Sequence, residues 1–422
     1  MNDLINRLRQ ADLQKAKSFG ISLAVMLALP IIQFVLFAFY ARVLGPAKYG
    51  VYIALMAWAP ICLEVVAMGA GELMIKRAAR APEVFPRAFG HFFSATVVTF
   101  PIAFLIYVAV TFQVVKSDLT LWTVAVVGAC ELIGYRLLVG AENAAIALRN
   151  LGAANQFRFL QAFPRGLGVL ICYAVFGARS LSALALGGSL GVLLSGVAAA
   201  AISALVFPRL EWNLDRGAMR EGFWFAGNQL ARASQQNIDR VVLSLLVDPA
   251  TLAVYGAAQR FVQVGILPIQ AILRMTYPGF FAEGRKGIVA ARQYGQKVLW
   301  MVLGAGAASC VGLWVFSQAI PYVIGHGFGE STSYLIWLAP TLLLYACNYV
   351  AADTLSGADH QRLRTTLMLS AIALQSLCFV VFKQGAGLIV AVYAGVGLAA
   401  VLNWTAVFLL TRRAEKTGEA PA

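Results

Sequence analysis

The stretch "RVLGPAKYGVY" (Arg42–Tyr52) sits between two long apolar runs, and "LLVDPATLAVY" (Leu245–Tyr255) repeats its plan. Asp248 and Pro249 stand where Gly45 and Pro46 stood, and Val254 and Tyr255 repeat Val51 and Tyr52. A turn that recurs in the same apolar setting points to a duplicated unit, so the runs around it decide the fold.

Of 422 residues, 60% are hydrophobic and 12% charged, about half the charge of a soluble globular chain. Runs of roughly 20 apolar residues, the length that crosses a bilayer as a helix, occur at 18–41, 51–72, 90–114, 119–141, 158–177, 181–206, 222–246, 251–280, 295–318, 333–356, 364–382 and 388–411. Twelve such runs joined by short loops exclude a soluble protein with buried helices. The first is too long for a signal-peptide core and lacks a small-residue cleavage site, so an uncleaved span is expected.

Lys and Arg stay on the cytoplasmic side of short loops. Sorted by loop, 22 of the 33 basic residues fall on one side and 5 on the other, which predicts both termini in the cytoplasm. The formal charge of +14 is therefore a topology signal, and no nucleic-acid partner is expected. All six cysteines fall inside expected spans without a CxxC pair, which reads as free buried thiols, neither a disulfide frame nor a metal site.

The repeated turns join spans one to two and seven to eight. Six spans separate them, an even number that preserves orientation, so the expected fold is an all-α integral membrane protein of about 12 transmembrane helices in two parallel six-helix repeats. The expected division is 1–206, a linker at 207–221, and 222–422. A second echo pairs Gly140-Ala141-Glu142 with Gly357-Ala358-Asp359.

The first turn, with Arg42, Leu44, Gly45, Pro46, Tyr49, Gly50 and Tyr52, and the segment Tyr255, Ala258, Arg260 entering span eight resemble the polysaccharide exporters of the multidrug/oligosaccharidyl-lipid/polysaccharide (MOP) superfamily, most closely the Wzx-type flippases. The resemblance covers nearly the whole chain. It implies a MATE-like, V-shaped pair of lobes around a central cavity that moves undecaprenyl-diphosphate-linked oligosaccharide between leaflets for O-antigen, lipopolysaccharide or exopolysaccharide synthesis. Lipid II flippases usually have two further spans, which counts against peptidoglycan.

Charges left inside the spans are Arg136, Arg165, Arg232, Arg240, Arg260 and Arg274 against Glu64, Glu131 and Asp239. Each costs roughly 2.5–3.5 kcal/mol if it faces lipid, so they are expected to face the interior or one another. In span seven Asn228, Arg232, Gln235, Gln236 and Asp239 recur at helical steps, and in span eight Gln259, Arg260, Gln263, Gln270 and Arg274 do the same. Two polar stripes beside the repeated turns predict a cavity wall. A guanidinium suits a diphosphate because it offers a planar fork of donors and holds its charge, which makes Arg232, Arg260, Arg165, Gln236, Gln263 and Asn228 the candidate substrate-binding residues. Against this, Asp239 is equally a structural partner of Arg232, and Arg136 and Arg274, near cytoplasmic ends, are expected to snorkel to the interface.

Glu64, Glu131 and Asp239 are candidates for coupling or charge pairing, with Glu131 expected to neutralise Arg136 or Arg165. A proton or sodium gradient is the candidate drive and no cofactor is expected; Asp239 and Asn403 supply too few oxygens for a predicted metal site. Pro30 and Pro268 are candidate hinges. "LGGSLGVLLSGVAAAA" in span six reads as close helix packing, and "LINRLRQADLQKAKSF" (Leu4–Phe19) as a basic amphipathic surface stretch. Scattered histidines and the lack of a phosphate-binding loop argue against an enzyme. Candidate partners are the polyprenyl-diphosphate-linked oligosaccharide, membrane lipids and a polysaccharide polymerase or chain-length regulator, with a monomer expected. The competing reading is a cation-coupled multidrug exporter of the same superfamily, which would need acidic rather than arginine-rich walls.

Overall fold

Gly45 sets the first turn. At φ 68 and ψ 174 it leaves the helical region and kinks α1 (Asn2–Ala57) inside the quoted motif, a conformation that favours glycine. The computed structural model describes residues 2–161, 163–207, 211–383 and 385–417, with side chains from residue 30 onward except 151, 228, 235 and 417. The side chains of the Leu4–Phe19 stretch, Asn228 and Gln235 thus lie outside the described residues.

Beyond α1 the chain forms α2 (Ala59–Leu63), α3 (Ala70–Arg80), α4 (Phe85–Val115), α5 (Leu121–Ala147), α6 (Leu151–Phe159), α7 (Phe163–Ala174), α8 (Leu181–Val206) and α9 (Arg216–Leu246). It continues with α10 (Pro249–Gly265), α11 (Leu267–Gly284), α12 (Ile288–Ser317), α13 (Ile320–Ile324), α14 (Glu330–Leu338), α15 (Thr341–Gly357), α16 (Gln361–Val381) and α17 (Ala386–Thr417). No strand occurs among the described residues. Among the described residues nine helical stretches are long and apolar enough to cross a membrane, and the protein is a multi-pass membrane protein. Expected spans one and two share one of these stretches, Pro30–Leu63, on either side of Gly45. Two expected spans fall outside the nine: 158–177 is divided between α6 and α7, and 222–246 lies in α9, whose polar stripe lowers its hydropathy.

The helices cluster into two compact units. Unit 1 holds the chain up to Leu44 together with Ala54–Asn237, and unit 2 holds Gly45–Ile53 together with Ile238 onward. The division falls within α9, sixteen residues beyond the expected linker. The start of α9 is tied into unit 1 by Lys76 to Glu221 at 2.6 Å, and by Arg77 to Asp215 at 3.3 Å and to Glu221 at 3.4 Å. In unit 1, α8 packs backbone to backbone on its neighbours. A side-chain carbon on Gly191 would lie 2.3 Å from the Pro164 carbonyl oxygen, and one on Gly196 2.4 Å from that of Gly134, the close approach that small residues permit.

The duplication is written in backbone hydrogen bonds. Arg149 after α5 and Asp359 after α15 both adopt left-handed φ, 57° and 62°. The amide of Asn150 donates to the Ala145 carbonyl (2.8 Å) and that of His360 to Leu355 (2.9 Å), so each helix ends in the same reversed loop of bonds. This register corrects the Gly-Ala-acid echo: Gly140–Glu142 lies in the interior of α5, whereas Gly357–Asp359 forms the end of α15. A shared tripeptide carried no register because its two copies sit in different backbone settings.

Each repeat also interrupts its second span just before a proline. α1 ends at Ala57 ahead of Pro60, and α10 ends at Gly265 ahead of Pro268, because proline lacks an N–H and crowds the preceding turn. From there the copies diverge. The second resumes directly as α11, while the first unwinds over residues 64–69, with Ala67, Met68 and Gly69 at positive φ. Pro30, by contrast, lies within α1 and does not interrupt it.

Candidate functional site

In unit 2 the Asp248 carboxylate caps α10, accepting from the Thr251 amide at 2.9 Å and the Thr251 hydroxyl at 2.7 Å. The Thr251 amide bond chiefly holds this carboxyl below the usual aspartate range. The cap fixes where the second turn ends, and the first turn packs on it. A side-chain carbon on Gly50 would lie 1.7 Å from the Pro249 carbonyl oxygen, so only glycine fits there.

That docking places Tyr49 against α10. Its ring stacks on Tyr52 (6.1 Å, 26°) and meets Phe328 edge-on. The guanidinium of part-buried Arg260 stands beside the Tyr49 hydroxyl, and Arg240 from α9 is near enough to act electrostatically on both. Neither Arg240 nor Arg260 forms an ion pair with a described residue. Asp239, the sequence neighbour of Arg240, engages Tyr255 instead: the Tyr255 hydroxyl donates to its carboxylate at 3.4 Å, and Gln259 donates to Tyr255 at 2.8 Å. Two guanidinium groups therefore share one aromatic corner with no carboxylate in ion-pair contact among the described residues, an arrangement that can accept a multivalent oxyanion.

Unit 1 is arranged in the opposite way. Arg165 donates to Glu131 at 2.5 Å and lies over the Tyr135 ring, and Ser189 donates to the other Glu131 oxygen at 2.5 Å. Glu131 is 2% exposed. Of the two partners considered for Glu131, the structure selects Arg165. Arg136 does not snorkel: its side chain is 2% exposed and reaches the unwound part of span two, donating to the Leu63 carbonyl and pairing with Glu64 at 3.5 Å. The break after Leu63 sends the Ala67 amide to the Thr99 hydroxyl (2.8 Å), so the Leu63 carbonyl, which accepts only the tighter bond from the Val66 amide (3.1 Å), has a lone pair left for the buried guanidinium.

The remaining candidates are dispersed. Arg232 and Gln236 are exposed on the part of α9 that belongs to unit 1, and Gln263 and Pro268 are exposed in unit 2. Arg274 is exposed on α11. Asn403 donates to Asn348 Oδ1 at 2.9 Å. No cluster of three or more His, Cys, Asp or Glu is placed to hold a metal ion among the described residues. The reading of the stripes passed over Tyr49 and Arg240. Tyr49 is the motif tyrosine three residues before Tyr52, and Arg240 is one of the charges inside span seven that lies off its polar stripe.

The profile of the family described as "Polysaccharide biosynthesis protein" matches residues 16–282, and that of MatE matches residues 226–382. No curated protein matches the chain. Among solved structures the chain is similar to a multidrug resistance MATE family transporter of the MOP superfamily in its inward-facing conformation, with TM-score 0.74 and 16% identity over 93% of this chain and 99% of that one. It is similar to the outward-facing conformation of such a transporter with TM-score 0.58 and 14% identity, covering 93% and 96%. It is also similar to the lipid II flippase MurJ, inward closed conformation, with TM-score 0.71 and 11% identity, covering 92% and 87%. At these identities the likeness shows the fold alone.

Proposed function

Because the chain belongs to the polysaccharide biosynthesis protein family, with transporters and flippases of the MOP superfamily as its structural neighbours, we propose that it flips undecaprenyl-diphosphate-linked oligosaccharide repeat units. The movement runs from the cytoplasmic to the periplasmic leaflet of a bacterial inner membrane, with both termini cytoplasmic and a proton or sodium gradient as the drive. The observation that carries this reading is the Arg240–Arg260 pair at Tyr49, which lacks a carboxylate partner among the described residues. Two close cations repel each other and become most favourable when a doubly charged anion lies between them. A diphosphate meets that need, and an organic cation worsens it.

Reconstitution in proteoliposomes tests the proposal. Wild-type protein should flip a labelled polyprenyl-diphosphate sugar, with Arg260→Ala and Arg240→Ala each slowing it more than about tenfold, the equivalent of one charge-assisted bond. Expulsion of an organic cation without movement of the lipid-linked sugar would replace this reading with the multidrug exporter. Collapse of the proton or sodium gradient, one at a time, identifies the drive.

A further inference from the structure

The end of α17 meets the start of α12 within unit 2. The guanidinium carbon of Arg292, in the second turn of α12, lies over the Phe408 ring of α17, 4.3 Å from its centroid. Its Nε is buried without a hydrogen-bond partner, and it forms no ion pair with a described residue. A guanidinium held on a ring face by cation–π attraction keeps its in-plane donors for a ligand at the ring's edge. Phe408, Arg412 and Lys416 follow one another at four-residue steps and so share a face of α17. Phe408 is 42% exposed, and Arg412, Lys416 and the neighbouring Lys297 of α12 are exposed as well. Glu415 is the only acid among residues 410–417, and it lies off that stripe. Trp300, two turns along α12, is 75% exposed, and tryptophan prefers the headgroup level of a bilayer.

Topology and the helix dipole account for cations at the end of α17. They do not account for an arginine from a second helix laid on the same stripe with its Nε unpartnered. We propose that the α12–α17 corner binds the phosphate headgroup of an anionic phospholipid, with Arg292 and Arg412 gripping the phosphate and Phe408 and Trp300 standing at the level of the glycerol and upper acyl chain. The site is separate from Arg240 and Arg260 and does not depend on what the protein transports.

The test uses the full-length protein, delipidated in detergent, with phosphatidylglycerol, phosphatidylcholine and inorganic phosphate as probes, read by native mass spectrometry and by thermal shift. Phosphatidylglycerol should bind at least about fivefold more tightly than phosphatidylcholine, and Arg292→Ala and Arg412→Ala should each remove about that factor. Arg292→Lys should fall between, since it keeps the charge and loses the planar fork, and Arg285→Ala, an exposed cation outside the corner, should change nothing. Equal affinity for the two lipids, or an equal loss in Arg285→Ala, would overturn the site in favour of diffuse charge. A matching shift from inorganic phosphate alone would overturn the lipid as its source. If Arg292→Ala does not fold, Arg412→Ala carries the same comparison from an exposed position.

Discussion

The two units treat their buried arginines differently. In unit 1, Arg165 and Arg136 are answered by Glu131 and Glu64, and Glu131 has a second donor in Ser189. In unit 2, Arg260 and Arg240 are answered by a tyrosine hydroxyl and by each other's repulsion. A paired charge inside a membrane protein is a structural joint; an unpaired one is costly to keep and points to a ligand that completes it. The duplicated architecture therefore does not carry duplicated chemistry, and the difference can be measured.

The largest stability effect is expected in unit 1. Arg165→Ala leaves the Glu131 carboxylate buried and uncompensated, and should lower stability in detergent by about 3–5 kcal/mol. Combining Arg165→Met with Glu131→Gln should restore most of it in thermal unfolding. An equally large loss in the double variant would mean that packing, rather than charge pairing, holds that corner.

Next comes the docked turn. Gly50→Ala forces a methyl group into the Pro249 backbone and should cost about 1–3 kcal/mol. Because the turn positions Tyr49 beside Arg260, transport should fall with it, and a variant that is stable yet inactive would separate positioning from folding. Arg260→Ala should be milder for stability, about 1 kcal/mol, while transport falls severely. The reverse pattern, large destabilisation with transport retained, would abolish the contrast between the units.

The smallest effect belongs to the ion pairs outside the membrane. The Lys76 ammonium chiefly, and Arg77 as well, hold the Glu221 carboxyl below the usual glutamate range. Its contribution is present above the unfolded pKa and is lost as pH falls through the lower folded value. Glu221→Gln should cost less than about 1 kcal/mol at neutral pH, and its difference from wild type should shrink as pH falls from about 5 toward 3. A constant difference across that range would assign the effect to hydrogen bonding alone.

Much of the architecture was legible because its cause is local. Span length, loop charge and proline breaks act within one segment, so the apolar runs, the Gly45 turn and the interruption before Pro268 could be read from residue order. The site was only partly legible. Arg260 was visible as a cation in the polar stripe of span eight, but Tyr49 lies more than two hundred residues away in sequence and reaches it only because Gly50 lets the first turn settle on Pro249. Likewise the stripe through Arg232 and Gln236 reads as one wall with Asp239, whereas the change of unit after Asn237 assigns the two parts of α9 to different packing environments.

By itself the sequence determined that this is an all-helical, duplicated membrane protein with more arginine than acid in its interior, because hydropathy, length and charge sign are properties of each segment taken alone. Only the tertiary structure decided which arginines are neutralised. Pairing depends on which helices meet, and the same residue type becomes a joint at Arg165 and an open anion site at Arg260 according to whether a carboxylate or a tyrosine stands opposite.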